Sequence, residues 1–454
     1  MRMRSRGGTK RIARLVTVVA AVAALIGVAA GCGGGGGSNT TTTTATSPVN
    51  TSVSGTVTFD GIWTSSTGQK QFQDVINGFN KLYPNVHVHY KPVGNNLPTV
   101  LATAVAGGHP PDMADIAQPG TIQQFVTQGK LKPITYAKPA MEQNFAPAWV
   151  TLGTFNGTLY ALPFKAANKS LVWYSVPVFK QAGVQPPKTF NQLLTDAKTI
   201  KASGTPAYSI GGAEGWTLTD LFENIYLRTF GPSKYDALSH HQIKWTDPSV
   251  KTALTTMAKI LGDTSNVAGG TSGALQYSFN QSVTNAFTSP AKAAMVFEAD
   301  FVASVITSTT KAKPETGFNT FVWPEITPGA DASAVEIAGD MMVAFRDNPA
   351  IEAFMKYLAT PQAAIIWAKQ GGFGTGNHNV PSSVYPDAIT RAAEVPLLHS
   401  KSVVFDLSDN QPPAFGSTAG QGMWGLFQKF LQNPQNVTSI QQQLESAAAA
   451  AYKK

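Results

Sequence analysis

The sequence predicts an α/β protein with two or more lobes. The chain has 454 residues, which exceeds the size at which a single hydrophobic core stops growing. Apolar residues make up 43% of the chain, enough to fill such cores. Strand and helix patterns alternate at the start of the ordered sequence, as they do in α/β proteins. No fixed-period repeat is visible, so the pattern disfavours solenoids and propellers.

The first ordered elements form a predicted β-α-β unit. Val57 and Phe59 alternate as in a strand, and apolar residues then recur at helical spacing over residues 72–82. Residues 86–90 alternate again as a second strand. A helix is predicted over residues 97–105, and the segment PPDMADIA resumes an extended run.

Later segments continue the mixture of strands and helices. LYALPF and SLVWY are predicted as adjacent strands, and AAMVF as a short strand that ends at Glu298. VEIAGDMMVAF is predicted as a strand, a tight turn and a second strand. Helices are predicted over residues 221–230 and 250–261, and the C-terminal third is rich in helical patterns.

The N-terminus has the pattern of a secretory signal. Six basic and no acidic residues lie in residues 1–31, and a largely apolar run extends from Leu15 to Ala30. This run is shorter than the roughly 20 residues that a spanning helix needs. Without those six residues, 28 of the 34 basic residues remain, against 26 acidic residues. The formal net charge therefore falls from +8 to +2. The rest of the chain therefore does not predict nucleic-acid binding.

Cys32 is the single cysteine of the chain, so no internal disulfide can form. With the three residues before it, Cys32 resembles the bacterial lipobox, in which the signal is cut before a cysteine that receives a lipid. Ala29 departs from the usual leucine of that pattern. The polar, glycine-rich residues after Cys32 predict a flexible tether. We therefore expect an extracytoplasmic protein held at the cell membrane by its lipid.

Three acidic residues follow predicted strands and could serve a hydrolase. They are Glu214, Glu298 and Asp300. Such an enzyme needs two carboxyl groups about 5 to 9 Å apart across the scissile bond. The alternative is that strand-end acids cap the next helix or accept hydrogen bonds from loop amides.

Other catalytic and cofactor patterns are absent from the sequence. His87 and His89 share one side of a predicted strand, and His240 adjoins His241, but no third ligand stands at metal spacing. The chain has no HExxH, paired CxxC, EF-hand or GxSxG motif. GGFGTGNHN follows a helical pattern and lacks GK[ST], so it is predicted to end a helix. No cofactor or metal is expected.

Aromatic residues in predicted loops suggest a carbohydrate site. They are Trp63, Trp216, Phe301, Phe373 and Trp424. A flat ring can cover the apolar face of a sugar while nearby amides and carboxylates bind its hydroxyls. Each ring could instead be a core residue at an element boundary. The remaining tryptophans are assigned to the core: Trp149, Trp173, Trp245, Trp323 and Trp367.

Several segments together resemble extracellular solute-binding protein family 1. They include GIWTSSTGQKQFQDVINGFNKLYPNVHV, PPDMADIAQPG, AAMVFEADF, EIAGDMMVAF and YLATPQAAIIWAKQGGFGTGNHNV. The family contains the sugar-type receptors of ABC importers. The resemblance implies a two-lobe α/β fold like that of periplasmic binding proteins, with a hinge and a ligand cleft between the lobes. It also implies reversible ligand binding without covalent chemistry.

By that likeness, eleven residues are expected to bind the ligand. They are Trp63, Ser65, Gln118, Lys165, Glu214, Trp216, Asp300, Phe301, Asp340, Phe373 and Trp424. The tail segment VVFDLSDNQPPAFGSTAGQGMWGLFQKFL is most similar to receptors for α-glucosides such as trehalose, sucrose or maltose. A receptor of the same fold for a polyol, an amino-sugar or a phosphodiester is the alternative.

The resemblance also implies domain limits and partners. Residues 1–31 would be the signal peptide and residues 32–54 the lipidated tether. The N-terminal lobe would comprise residues 55–163 and 338–374, and the C-terminal lobe residues 164–337 and 375–454. Hinges are expected at residues 162–166, 335–339 and 373–377. The expected partners are a carbohydrate and the ABC permease subunits, with the protein acting as a monomer.

Overall fold

A computed structural model describes residues 49–330, 333–400 and 402–453. The predicted signal peptide, Cys32 and most of the predicted tether lie outside these residues. Among the helices that are described, none combines the length and the apolar character that crossing a membrane requires.

Eleven strands are described. They are β1 (Gly55–Gly61), β2 (Val86–Pro92), β3 (Met113–Ile116), β4 (Thr154–Phe155), β5 (Thr158–Leu159), β6 (Ala161–Asn168), β7 (Leu171–Ser175), β8 (Met295–Phe297), β9 (Phe318–Val322), β10 (Val335–Ala344) and β11 (Val403–Phe405).

The described helices are interspersed with these strands along the chain. They are α1 (Ser66–Asn80), α2 (Leu97–Ala106), α3 (Pro119–Thr127), α4 (Lys138–Asn144), α5 (Pro147–Leu152), α6 (Val176–Ala182), α7 (Phe190–Ala202), α8 (Trp216–Ser239), α9 (Pro248–Leu261), α10 (Gly270–Gln276), α11 (Phe279–Phe287), α12 (Val302–Thr309), α13 (Pro349–Leu358), α14 (Pro361–Ala368), α15 (Ala388–His399), α16 (Leu407–Asn410), α17 (Pro413–Gly416), α18 (Gly422–Gln432) and α19 (Val437–Tyr452).

The larger sheet belongs to the first lobe. Its strand order is β11-β10-β3-β1-β2, and β6 pairs with the other edge of β10. β1 is parallel to both β2 and β3, and α1 connects β1 to β2 as the sequence predicts. Because β1 and β3 run parallel, the loops that follow them emerge at the same edge of the sheet. Those loops carry Trp63 and Gln118.

Two expectations about strands were wrong. The segment predicted as strand, turn and strand is the single buried strand β10, with a register shift between Asp340 and Met341. Hydrogen bonds to β6 on one edge and to β3 and β11 on the other keep it extended. LYALPF and SLVWY, predicted as adjacent strands, belong to different sheets. β6 pairs with β10, whereas β7 pairs with β8 and β9.

The smaller sheet belongs to the second lobe. Its order is β8-β7-β9 and all of its pairs are antiparallel. The C-terminal helices α16 and α18 pack against the long helix α8 of this lobe. β11 lies in the range expected for the second lobe, but it hydrogen-bonds to β10 in the first sheet. The chain therefore passes between the lobes after β6, before β10 and again around β11.

Each lobe has its own aromatic core. In the first lobe, Phe72 of α1 packs on Phe59 of β1 with ring centroids 5.2 Å apart. In the second lobe, Phe222 of α8 stacks on Trp245 at 5.6 Å and contacts Phe427 of α18 at 5.1 Å. The apolar residues of these helices recur at helical spacing, so each helix packs one apolar face into the core. This packing fixes the positions of the loops at the ends of the helices.

Candidate functional site

A cavity of about 510 Å³ is lined by residues of both lobes. This volume is within the range of small-molecule sites. The first lobe contributes the loops after β1 and β3 and the middle of β10. The second lobe contributes the segment before α8, the starts of α11 and α12, and α16. Nine of the eleven residues expected at the ligand line this cavity: Trp63, Ser65, Gln118, Lys165, Glu214, Trp216, Phe301, Asp340 and Trp424.

The loop after β1 is held by hydrogen bonds that orient Trp63. The Tyr90 hydroxyl accepts a hydrogen bond from the Trp63 backbone N–H at 2.9 Å and donates one to the Trp63 carbonyl at 3.1 Å. The Trp63 indole N–H donates to Asp340 Oδ2 at 2.9 Å, and its ring meets Trp367 edge-on at 4.7 Å. Ser65 caps α1, since its Oγ accepts from the Gly68 N–H at 3.0 Å. Trp63 is therefore fixed in a defined position at the cavity wall.

Charged groups meet beneath Trp63. The Lys165 ammonium lies 3.6 Å from Asp340 Oδ2 and 5.3 Å from the centre of the Phe301 ring. Asp115 is buried beside Asp340, and it accepts a hydrogen bond from the Ile62 N–H at 2.9 Å. Burial raises the pKa of Asp115 well above its ordinary value, and the neighbouring Asp340 raises it further. This end of the cavity thus combines a cation, carboxyl groups and an aromatic ring.

The second lobe supplies a cluster of three rings. Trp216 lies 5.3 Å from Phe279 and 6.2 Å from Phe301, and the two phenylalanines meet edge-on at 5.3 Å. Gly215 precedes Trp216 with φ of +90°, and a Cβ atom there would lie 2.7 Å from Trp424 Cβ. The glycine therefore permits both the turn into α8 and its close approach to Trp424.

Glu214 connects the two lobes at the cavity wall. Its Oε2 accepts a hydrogen bond from the Phe279 N–H at 2.8 Å, and its Oε1 lies 3.4 Å from Nδ2 of Asn95. Burial raises the pKa of Glu214, and the hydrogen bond from Phe279 partly opposes that rise. Asn95 belongs to the first lobe, so this contact crosses the cavity entrance.

A buried cluster around Lys169 also reaches the cavity, and the sequence analysis missed it. The Lys169 ammonium donates to Asp220 Oδ1 at 3.0 Å and forms a second, short ion pair with Asp406. Burial alone would lower the pKa of Lys169, but Asp220 and Asp406 outweigh it and raise that pKa well above its ordinary value. Carboxylate oxygens of Asp220, Glu336 and Asp406 lie within 4.8 Å of one another, a spacing that suits a hard cation. The lysine ammonium already supplies a positive charge there.

Asp300 does not line the cavity, which corrects one expectation. Its side chain is buried and Oδ1 accepts a hydrogen bond from the Asn168 N–H at 2.7 Å. Glu298 is buried too, and burial raises the pKa of both carboxyl groups. Of the three acids considered for a hydrolase, the structure brings Glu214 to the lining, whereas Glu298 and Asp300 lie behind it.

Phe373 is the second correction. It is 0% exposed, stacks on Trp367 with centroids 5.3 Å apart and meets Phe164 at 5.2 Å. Trp367 is 1% exposed in the first-lobe core, as the sequence predicts, and it also contributes to the cavity lining. The glycines around Phe373 suggest a loop, but the chain after α14, which ends at Ala368, places the phenylalanine in the first-lobe core.

The family model described as bacterial extracellular solute-binding protein matches residues 63–365. The chain belongs to this family. The matched range includes most of the residues that line the cavity and both sheets, apart from β1, β11 and the C-terminal helices.

Two curated relatives are similar over most of their length. The alpha-glucosides-binding periplasmic protein AglE of Rhizobium meliloti is 32% identical over 69% of this chain and 70% of its own length. The osmoprotective compounds-binding protein GgtB of Synechocystis sp. is 29% identical over 73% of this chain and 79% of its own length.

Solved structures of sugar-binding proteins share the fold. A chitin oligosaccharide binding protein matches with a TM-score of 0.77 at 18% identity, covering 88% of this chain and 100% of that protein. The bacterial solute receptor AcbH, described as preferring β-D-galactopyranose, matches with a TM-score of 0.76 at 19% identity, covering 87% of this chain and 98% of that protein. At these identities the likeness establishes the two-lobe α/β fold.

Proposed function

We propose that this solute-binding protein is the sugar-binding subunit of an ABC importer and binds an α-glucoside of about disaccharide size. The observation that carries the proposal is a cavity lined by aromatic rings of both lobes, Trp63 from the first and Trp216 and Phe301 from the second. Rings cover the apolar faces of a sugar, and the carboxyl and ammonium groups between them bind its hydroxyls.

The relatives favour α-glucosides among the possible sugars. AglE is named for α-glucosides and is 32% identical, and the similarity extends across both lobes. Trehalose, sucrose and maltose are therefore the first ligands to test. GgtB, which is named for osmoprotective compounds, makes a glucosylated polyol a further member of the panel.

We infer a hinge-closure mechanism from the same geometry. Both lobes line the cavity, so a bound ligand contacts both and shifts the population towards the closed form. The hinges would lie where the chain passes between the lobes, after β6, before β10 and around β11, rather than at residues 162–166, 335–339 and 373–377. The contact between Glu214 and Asn95 would form on closure. The closed form would be recognised by the permease subunits with which family members work.

Ligand binding is tested with the mature protein and a panel of glucose, trehalose, sucrose, maltose and a glucosylated glycerol. Thermal shift identifies binders, and calorimetry gives the stoichiometry. We expect one site per chain and no new reducing ends after prolonged incubation. Release of reducing sugar that is lost in Glu214→Gln would contradict the proposal and favour a hydrolase.

We also propose that the protein is lipid-anchored through Cys32 and acts as a monomer. The lipobox-like sequence and the polar residues that follow support this. Stable anchoring takes more than one lipid chain, which lipoprotein processing supplies. In a native host, the Cys32→Ser protein should leave the membrane fraction, while gel filtration of the mature head should show one chain.

A further inference from the structure

Lys169 lies where the first lobe passes into the second, and three elements hold it. It follows the last residue of β6, and its backbone N–H donates to the Glu336 carbonyl of β10 at 2.9 Å. Its own carbonyl accepts from Nδ2 of Asn224 in α8 at 3.0 Å. The ammonium joins Asp220 in α8 to Asp406, the residue directly before α16. Its side chain is 7% exposed, so these partners replace water almost completely.

The Lys169 ammonium is surrounded by several buried carboxyl groups. The buried carboxyl groups that face it are Asp220 and Glu223 from α8, Glu298 from the end of β8, Glu336 from β10, and Asp406 and Asp409 from the α16 segment. The Tyr235 hydroxyl donates to Glu223 at 3.0 Å. Without Lys169, Asp220 and Asp406 would be buried carboxylates that lack the cation to which both are bonded. A buried charge whose partner is removed is strongly destabilised.

The same lysine contacts the cavity wall. Its ammonium lies 5.5 Å from the centre of the Trp216 ring, a distance at which a cation and an aromatic ring attract each other. Lys169, Asp406, Ser408 and Asp409 all line the cavity. Ser408 and Asp409 depend on Asp406, which accepts a hydrogen bond from the Ser408 hydroxyl at 2.8 Å and from the Asp409 N–H at 2.9 Å.

We propose that Lys169 is a positioning residue for ligand binding: by pairing with Asp220 and Asp406 it holds the start of α8, with Trp216, against the α16 segment. The inference rests on the proposed function, since it concerns how the walls of the ligand cavity are kept in place. It assigns to Lys169 a role in ligand affinity that depends on its charge. A lysine that merely filled space would be replaceable by methionine, which has a similar length and no charge.

The test compares Lys169→Met with the unchanged protein, using trehalose, sucrose and maltose as probes at several pH values. We expect the affinity of the variant to fall by about a hundredfold near pH 8, because two buried carboxylates lose their cation. Near about pH 5.5 the affinity should recover to within roughly tenfold of the unchanged protein, as those carboxyl groups take up protons. The unchanged protein should vary much less over this range.

Two further variants separate charge from packing. Lys169→Met combined with Asp406→Asn removes one charge of each sign, so its affinity near pH 8 should exceed that of Lys169→Met by at least about tenfold. The matched control is Lys234→Met, which removes an ammonium 5.2 Å from the Phe230 ring and 3.4 Å from Asp247, outside the cavity lining. This control should bind as the unchanged protein does.

Three results would overturn the proposal. They are an unchanged affinity in Lys169→Met at pH 8, an equal loss at every pH, and no gain in the double variant. If Lys169→Met does not fold, the double variant decides, and its failure to fold also overturns the proposal. If the unchanged protein binds none of the probes, the proposed ligand class fails instead. The role of Lys169 is then judged by whether tryptophan fluorescence becomes pH-dependent in unliganded Lys169→Met and loses that dependence when Trp216→Phe is added.

Discussion

Glu336 offers a quantitative test of how this protein tolerates so many buried acids. The residue is 0% exposed in the middle of the molecule, and within the described residues neither carboxyl oxygen has a hydrogen-bond partner. Burial, and then the nearby Glu223 and Asp220, raise its pKa well above the ordinary value of 4.5. The protonated form of Glu336 is therefore favoured in the folded protein compared with the unfolded chain.

The sign and size of the effect follow from proton linkage. Above the ordinary pKa the folded state holds one more proton than the unfolded state at this site, so raising the pH favours unfolding. The contribution is lost at about 1.4 kcal/mol per pH unit until the folded-state pKa is reached. A single site contributes at most about 1.4 kcal/mol per pH unit, so Glu336 contributes up to about 2.7 kcal/mol between about pH 6 and about pH 8.

The perturbation is Glu336→Gln, which keeps the shape and cannot ionise. Urea unfolding followed by circular dichroism gives the free energy of unfolding at each pH. We expect the decline between about pH 6 and about pH 8 to be smaller in the variant, by up to about 1.4 kcal/mol per pH unit. Glu352→Gln changes a partly exposed glutamate paired with Lys356; this variant is the control and should leave the slope unchanged. An identical slope in Glu336→Gln and the unchanged protein would refute the argument.

Three further changes test the cavity. Trp216→Ala should weaken sugar binding by about tenfold or more while the unliganded melting temperature changes little; a large loss of melting temperature with unchanged affinity in calorimetry would make the ring a core residue. Gly215→Ala should lower both unliganded stability and affinity, because its Cβ would meet Trp424, and unchanged thermal melts would contradict that contact. Asn95→Ala removes the contact with Glu214 across the entrance, so stopped-flow measurements should show faster sugar release, by a fewfold, with unchanged unliganded stability.

Local pattern was sufficient for much of the fold. The β-α-β unit was predicted because the apolar residues of β1, α1 and β2 repeat at the spacing of each element, and the structure has all three. The prediction of two strands in place of β10 was wrong, because Gly339 followed by Asp340 resembles the sequence of a turn. What keeps that strand extended is pairing with β6, β3 and β11, and those strands are distant in sequence.

The residues of the cavity, like the strands, could be predicted only in part from local pattern. Residues just beyond strand ends, such as Trp63 and Gln118, could be located from sequence because parallel strands direct their following loops to one edge. Phe373 was expected at the ligand because the glycines around it suggest a loop. Its ring lies in the first-lobe core instead, and that position depends on how the chain after α14 packs.

The sequence by itself determined the α/β class, the family and the placement of aromatic rings at element boundaries, because these follow from periodicity and from motifs that are local in the chain. The tertiary structure alone decided which charges share a site. Lys169 and Asp406 are 237 residues apart in sequence, yet their side chains form an ion pair. No local sequence pattern encodes this contact, because the packing of β6, α8 and α16 against one another brings the two side chains together.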